Sequence, residues 1–153
     1  MTLPGPALKS DTMVLRGGRP LEGEVALRGA KNALPKIMVA ALLTHEKCVL
    51  RNVARILDVQ ITAELIHALG GEVREPAPGV LEICAANLRP MERTVLRDFS
   101  GRSRIPILTC GPLLARCGTA PVPSLGGCRI GSRPVDFHLR ALQDLRAGLH
   151  EEA

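Results

Sequence analysis

Aromatic side chains are almost missing from this sequence: among 153 residues there is no Trp, no Tyr and only two Phe. Whatever core forms must be aliphatic, built from Leu, Val, Ile and Ala. The stacking platforms that hold single-stranded nucleic acid are unavailable as well. Long apolar runs are lacking. The longest, Ile37 to Leu43, is far too short to cross a bilayer. The opening MTLPGPALKSDT holds one Lys, two Pro and no apolar stretch, so residues 1–12 read as a flexible leader rather than a signal peptide or anchor. There is no CxxC pair and the four His are scattered, which leaves no ligand spacing for a structural zinc. An odd number of Cys, five, at irregular spacing and without an export signal predicts reduced thiols in a cytoplasm. Finally, no Lys/Arg run accompanies the net charge of +5. Scattered cations suit a small phosphorylated ligand better than a nucleic acid.

What is present is an ordinary globular composition, 46% hydrophobic, in a chain long enough for one real core. The text is also written twice. KNALPKIMVAALLT from Lys31 is followed by DVQITAELIHALGGEV. RIPILTCGPLLARCGTA from Arg104 is followed by RPVDFHLRALQDLRAGL. In each half a basic residue opens a Pro-containing apolar helix, and a later amphipathic helix closes on Gly. The fold class expected is α/β, from two copies of one unit, 31–103 and 104–153, the second incomplete.

In the first copy, GEVALRG (Gly23 to Gly29) alternates as a half-buried strand does. Asn32 is placed to cap the next helix, with Pro35 in its first turn and Leu34, Ile37, Met38, Ala41 and Leu42 on one face. CVLRNV reads as a short strand. Asp58 is placed to cap a helix with an Ile61, Leu65, Leu69 stripe that ends at Gly70. GEVRE and VLEIC form a hairpin across PAPG. In the second copy Pro106 falls in a first turn, Gly111-Pro112 predicts a kink and Gly118 a stop. The last helix is expected to begin at Pro134 and to end at Gly148.

Three places could carry chemistry. Lys31 and Asn32 stand before a helix, where free N–H groups and a full charge would favour an anion, although a solvated Lys beside a capping Asn reads equally simply. Arg104 holds the matching place in the second copy. Its planar fork suits phosphate or carboxylate, while Arg102 and Arg104 also fit ordinary surface charges. The third is Cys128 in LGGCRIGSRPVD. Cys48, Cys84, Cys110 and Cys117 fit packed thiols on strands and helices. Cys128 follows two glycines that give it little to pack on, and Arg129 and Arg133 favour its thiolate. His138 on an amphipathic helix, with no oxyanion signal nearby, does not support a Cys–His protease.

GAKNALP, SRIPIL…GPLLAR and LGGCRIGSRPVDFH, in this order and spacing, resemble the N-terminal portion of the UDP-N-acetylglucosamine 1-carboxyvinyltransferases, a family of enolpyruvyl transferases. The resemblance runs from about Val14 to Ala153. The GGCxIGxRPVD stretch separates it from the shikimate-pathway enolpyruvyl transferase, which shares the fold and lacks this loop. The resemblance implies part of an inside-out α/β barrel of two domains, each built from βαβαββ-type units. The N-terminal strands in 13–30 would belong to the second domain, and a third unit and most of that domain would be absent. It implies that Lys31 and Asn32 bind phosphoenolpyruvate, that Arg104 contacts substrate phosphates and that Cys128 is the proton donor. Arg133, Pro134, Val135, Asp136 and Phe137 would line the UDP-N-acetylglucosamine site. It implies no metal, no organic cofactor, no nucleic-acid or membrane partner, and a role in peptidoglycan synthesis, cell shape and division. The proline of GAKNALPKI sits one place away from its commoner position, and Leu108 stands where many members carry an aromatic. The expected outcome is a fragment with little turnover alone, partnered by the rest of such an enzyme. The alternative is a non-catalytic sugar-nucleotide-binding or interaction module.

Overall fold

The apolar alternation of residues 48–84 folds into an antiparallel sheet. The computed structural model describes residues 14–18, 20–127, 131 and 134–150. Strands β1 (Cys48–Arg51), β2 (Glu72–Ala77) and β3 (Val80–Cys84) order as β1-β3-β2. Cys48 faces Ile83 and Arg51 faces Val80, while Val73 faces Ile83 from the other side. Leu81 and Ile83 on the central strand are fully covered. The Gly79 turn of the hairpin has φ +76, a conformation glycine adopts without a Cβ penalty.

Helices α1 (Leu34–Ala40) and α2 (Leu57–Ala68) pack on each other, and α2 packs on β2. The expected faces are the ones buried: Leu34 and Met38 on the first, with Ala41 and Leu42 on the 3-10 turn (Ala41–Leu43) that continues it, and Ile61 and Leu65 on the second, with Leu69 just past its end. Ile37 differs, being about half exposed. Both expected caps shift. Helix α1 begins after Ala33, with Asn32 in the preceding turn, and α2 is capped at Ile56, with Asp58 inside its first turn. There the Asp58 carbonyl accepts from Thr62 Oγ1 at 2.6 Å, and the carboxylate still complements the helix dipole. Gly70 follows α2 at φ +82, as a left-handed stop does.

Helix α3 (Arg93–Phe99), not anticipated from the sequence, leads into a 3-10 turn (Ile105–Thr109) and then α4 (Cys110–Cys117). Pro106 sits in the first turn of the 3-10 segment as expected. The change of helix type comes at Thr109, not at Gly111-Pro112. Pro112 thereby falls in the first turn of α4, where its missing N–H costs no helical bond. Gly118, φ +73, ends α4.

Two expectations fail. Residues 23–29 form no strand and are largely exposed, with Val25 at 84% and Leu27 at 83%. Alternation alone does not make a strand. Among the described residues, its hydrogen bonds to the rest lie near its end, at the residue after β1, where Gly29 N donates to the Asn52 carbonyl and Asn52 Nδ2 to the Leu27 carbonyl. The last helix, α5 (Asp136–Asp144), starts two residues after Pro134 and ends before Gly148, at a left-handed Arg146. No residue of α5 is buried. Among the described residues, the second stretch contains no strand.

Candidate functional site

Lys31 and Asn32 lie in the exposed turn that enters α1. Arg104 is the residue from which the 3-10 turn begins, and that turn packs against α1. Lys31 and Arg104 are therefore carried by neighbouring elements. A groove beside α1 is lined by Gly29, Ala30, Ala33, Ile37, Val49 and Asn52. Asn52 shapes one wall with a left-handed backbone, φ 59, a conformation Asn tolerates better than most side chains.

The two arginines of GRSRIPI separate clearly. Arg102 donates to Glu64 at 2.7 Å and lies 5.3 Å from the centre of the Phe99 ring. It is committed to the fold. Arg104, half-buried, has no hydrogen-bond or ionic partner among the described residues. A guanidinium without an acceptor, on a half-buried residue, is open to an anionic ligand. Ser103 fixes the local backbone: its Oγ accepts from Ile105 N at 2.9 Å.

The stretch that ends at Gly127 comes back to this point. Gly101 N donates to the Ser124 carbonyl at 2.8 Å, and Gly126 N to the Ser103 carbonyl at 3.1 Å. A Cβ placed on Gly127 would lie 3.6 Å from Arg104 Cγ. Cys128 and Arg133 lie outside the described residues. Downstream, Pro134 and Phe137 are exposed, Val135 is half-buried, and Asp136 opens α5. One carboxylate oxygen of Asp136 is buried without a donor among the described residues.

The remaining thiols behave as packed groups. Cys110 is buried, and burial pushes its thiol pKa up from the ordinary 9.0. Cys117 is half-buried and donates towards the Leu88 carbonyl at 3.6 Å. Among the described residues, no helix is long and apolar enough to cross a membrane.

Sequence reasoning missed Arg116. From α4 its Nη1 donates to the carbonyls of Leu42 at 2.8 Å, Thr44 at 3.1 Å and Ala85 at 2.7 Å. Its Nη2 approaches His45 Nδ1 at 2.8 Å. Arg116 thus joins the second stretch to the residues that follow α1 and to the residue that follows β3. The only hint in the sequence is one cation inside an otherwise apolar helix.

The profile of the family described as EPSP synthase (3-phosphoshikimate 1-carboxyvinyltransferase) matches residues 15–152. A curated UDP-N-acetylglucosamine 1-carboxyvinyltransferase of Protochlamydia amoebophila is 45% identical over 139 residues, 90% of this chain and 30% of the relative. One from Symbiobacterium thermophilum is 44% identical, covering 93% of this chain and 33% of its own length. The chain thus spans about a third of the curated relatives it matches. The crystal structure of the enolpyruvyl transferase NikO from Streptomyces tendae aligns with a TM-score of 0.55 at 20% identity, over 67% of this chain and 23% of that one. This likeness supports the mixed α/β fold as part of an enolpyruvyl transferase architecture.

Proposed function

From the premise that this chain belongs to the EPSP synthase (3-phosphoshikimate 1-carboxyvinyltransferase) family, we propose that it carries one side of an enolpyruvyl-transfer site specific for UDP-N-acetylglucosamine. The observation that carries the reading is Arg104, unpartnered among the described residues and set against Gly127 at the foot of the GGC stretch. The choice of sugar follows the two curated relatives rather than the enzyme that gives the family its description.

In the proposed reaction the 3-hydroxyl of the sugar adds to C2 of phosphoenolpyruvate and loses its proton to a base. The Cys128 thiol delivers a proton to C3, giving a tetrahedral phosphorylated adduct. Loss of a C3 proton then expels phosphate and leaves the enol ether on the sugar oxygen. Phosphoenolpyruvate brings a carboxylate and a phosphate. Lys31, Arg104 and Arg133 would supply the opposing charge and Asn32 a hydrogen bond, fixed before reaction begins. Pro134, Val135, Asp136 and Phe137 would line the nucleotide-sugar side. Such a role places the chain in the cytoplasm, in peptidoglycan synthesis.

A site of this kind needs charge on both sides of the substrate, and this chain spans only about a third of its relatives. Phosphate release with both substrates present is expected below about one turnover per minute for this polypeptide alone; faster release overturns the half-site reading. Fosfomycin, an epoxide resembling phosphoenolpyruvate, is expected to label Cys128 faster than Cys110 or Cys117. Equal labelling would favour the second reading, a non-catalytic sugar-nucleotide-binding or interaction module. The observation on that side is the exposed apolar surface of α5 and its end, Phe137 and Leu145, a surface suited to a partner such as the rest of an enzyme of this kind.

A further inference from the structure

Two backbone segments cross at Gly101 and Gly126. The first belongs to the turn after α3, the second to the run that leads towards Cys128. Two hydrogen bonds clamp the crossing, Gly101 N to the Ser124 carbonyl and Gly126 N to the Ser103 carbonyl. A Cβ built on Gly126 overlaps the Gly101 carbonyl and comes within 2.6 Å of the Gly101 Cα. Both neighbours are backbone, so no side chain can swing aside to make room. A Cβ at Gly101 would meet open space, but the φ of +72 there favours glycine. Two glycines are thus required for different reasons at one contact, a steric one at 126 and a conformational one at 101.

We infer that Gly126 is a positioning residue: by allowing this crossing it fixes Gly127 beside Arg104. The consequence for chemistry rests on the enolpyruvyl-transfer reading, whereas the crossing does not. The loop carrying Arg104 is anchored independently by the Ser103 turn and by Arg102 on Glu64. The crossing therefore ties the later segment to a fixed point. Any residue with a Cβ at 126 must push the two segments apart, and the first separation lost is that between Gly127 and Arg104.

Two measurements test this. Amide hydrogen exchange on the wild-type chain should show the Gly101 and Gly126 amides protected at least about tenfold over a free peptide. In Gly126→Ala both should lose protection while the Leu65 and Ile83 amides keep theirs. On the enolpyruvyl-transfer reading, which pairs Arg104 with the Cys128 thiol, the pH–rate profile of Cys128 alkylation by iodoacetamide, read on its peptide by mass, should move its midpoint up by about half a unit or more, roughly threefold slower near neutrality. Arg104→Gln should raise the midpoint similarly with the crossing intact, which keeps the test decisive if Gly126→Ala does not fold. Gly111→Ala, where a Cβ meets nothing within 4 Å, should change neither. Unprotected amides in the wild type, or an unmoved midpoint in a folded Gly126→Ala or in Arg104→Gln, overturns the inference. If these results hold but fosfomycin ignores Cys128, the positioning stands and the enolpyruvyl reading fails.

Discussion

Two stretches of this chain open on a basic residue and a proline-bearing helix, and only one of them closes over a sheet. In residues 31–103 the second helix, α2, buries Ile61, Leu65 and Ile66 against α1 and β2. In residues 104–150 the amphipathic helix, α5, has no residue that is fully buried. The apolar stripe is written in both. The difference lies in what surrounds it. Strands β1, β2 and β3 give the first stretch a surface to cover, and no strand does so for the second among the described residues. Amphipathic spacing decides which face a helix will bury, and the neighbouring elements decide whether it is buried.

Substitutions sharpen that contrast. The largest effect belongs to the first stretch. Leu65→Ala removes a side chain with 1% exposure and should cost about 3 kcal/mol in urea unfolding. Leu142→Ala, at the matching place on α5, should stay within about 0.5 kcal/mol; a comparable loss would show that α5 is covered after all. Next comes the link between the stretches. Arg116→Ala strips donors from the carbonyls of Leu42, Thr44 and Ala85 and should cost about 2 kcal/mol, with Arg116→Lys recovering part of it. Gly118→Ala should cost about 1 kcal/mol through its left-handed backbone alone, since a Cβ there meets nothing within 4 Å.

The smallest effect is a pH dependence. Burial raises the Cys110 thiol above its ordinary 9.0, so the folded chain holds that proton more tightly than the unfolded one. The stability this contributes is full below the ordinary thiol value and is lost as pH rises towards the folded value. Unfolding at pH 7 and pH 10 should show a steeper loss for the wild type than for Cys110→Val. Parallel losses would mean that the buried thiol is not the group responsible.

Periodicity made most of the first stretch legible. The stripes of α1 and α2, the β2–β3 hairpin and the glycine stops all follow from spacing and turn chemistry. The caps at Asn32 and Asp58 were displaced by one or two residues, because a side chain suited to capping also fits a first turn. Residues 23–29 alternate correctly but form no strand and stay largely exposed, since pairing depends on an edge that spacing does not encode. Helix α3 escaped notice because its seven residues carry three charges and only a short apolar face. For the candidate site, the sequence singles out Lys31 and Arg104 as basic residues ahead of helices but does not separate Arg104 from Arg102, a difference set by where Glu64 and Phe99 lie. Arg116 was illegible for another reason: most of its partners are main-chain oxygens, and any residue type supplies one. Cys128 and Arg133 are legible in the sequence alone and lie outside the described residues.

The reach of Arg116 also sets an order of events during synthesis. Its acceptors at Leu42 and Thr44 precede it by 74 and 72 positions, and Ala85 by 31. A nascent chain emerging from the ribosome presents the Leu42 and Thr44 oxygens to water well before the guanidinium that will claim them has been made. Closing the loop between them costs entropy that grows only slowly with its length. The sheet can thus take shape early, and the clasp that joins the later helices to it is fastened last.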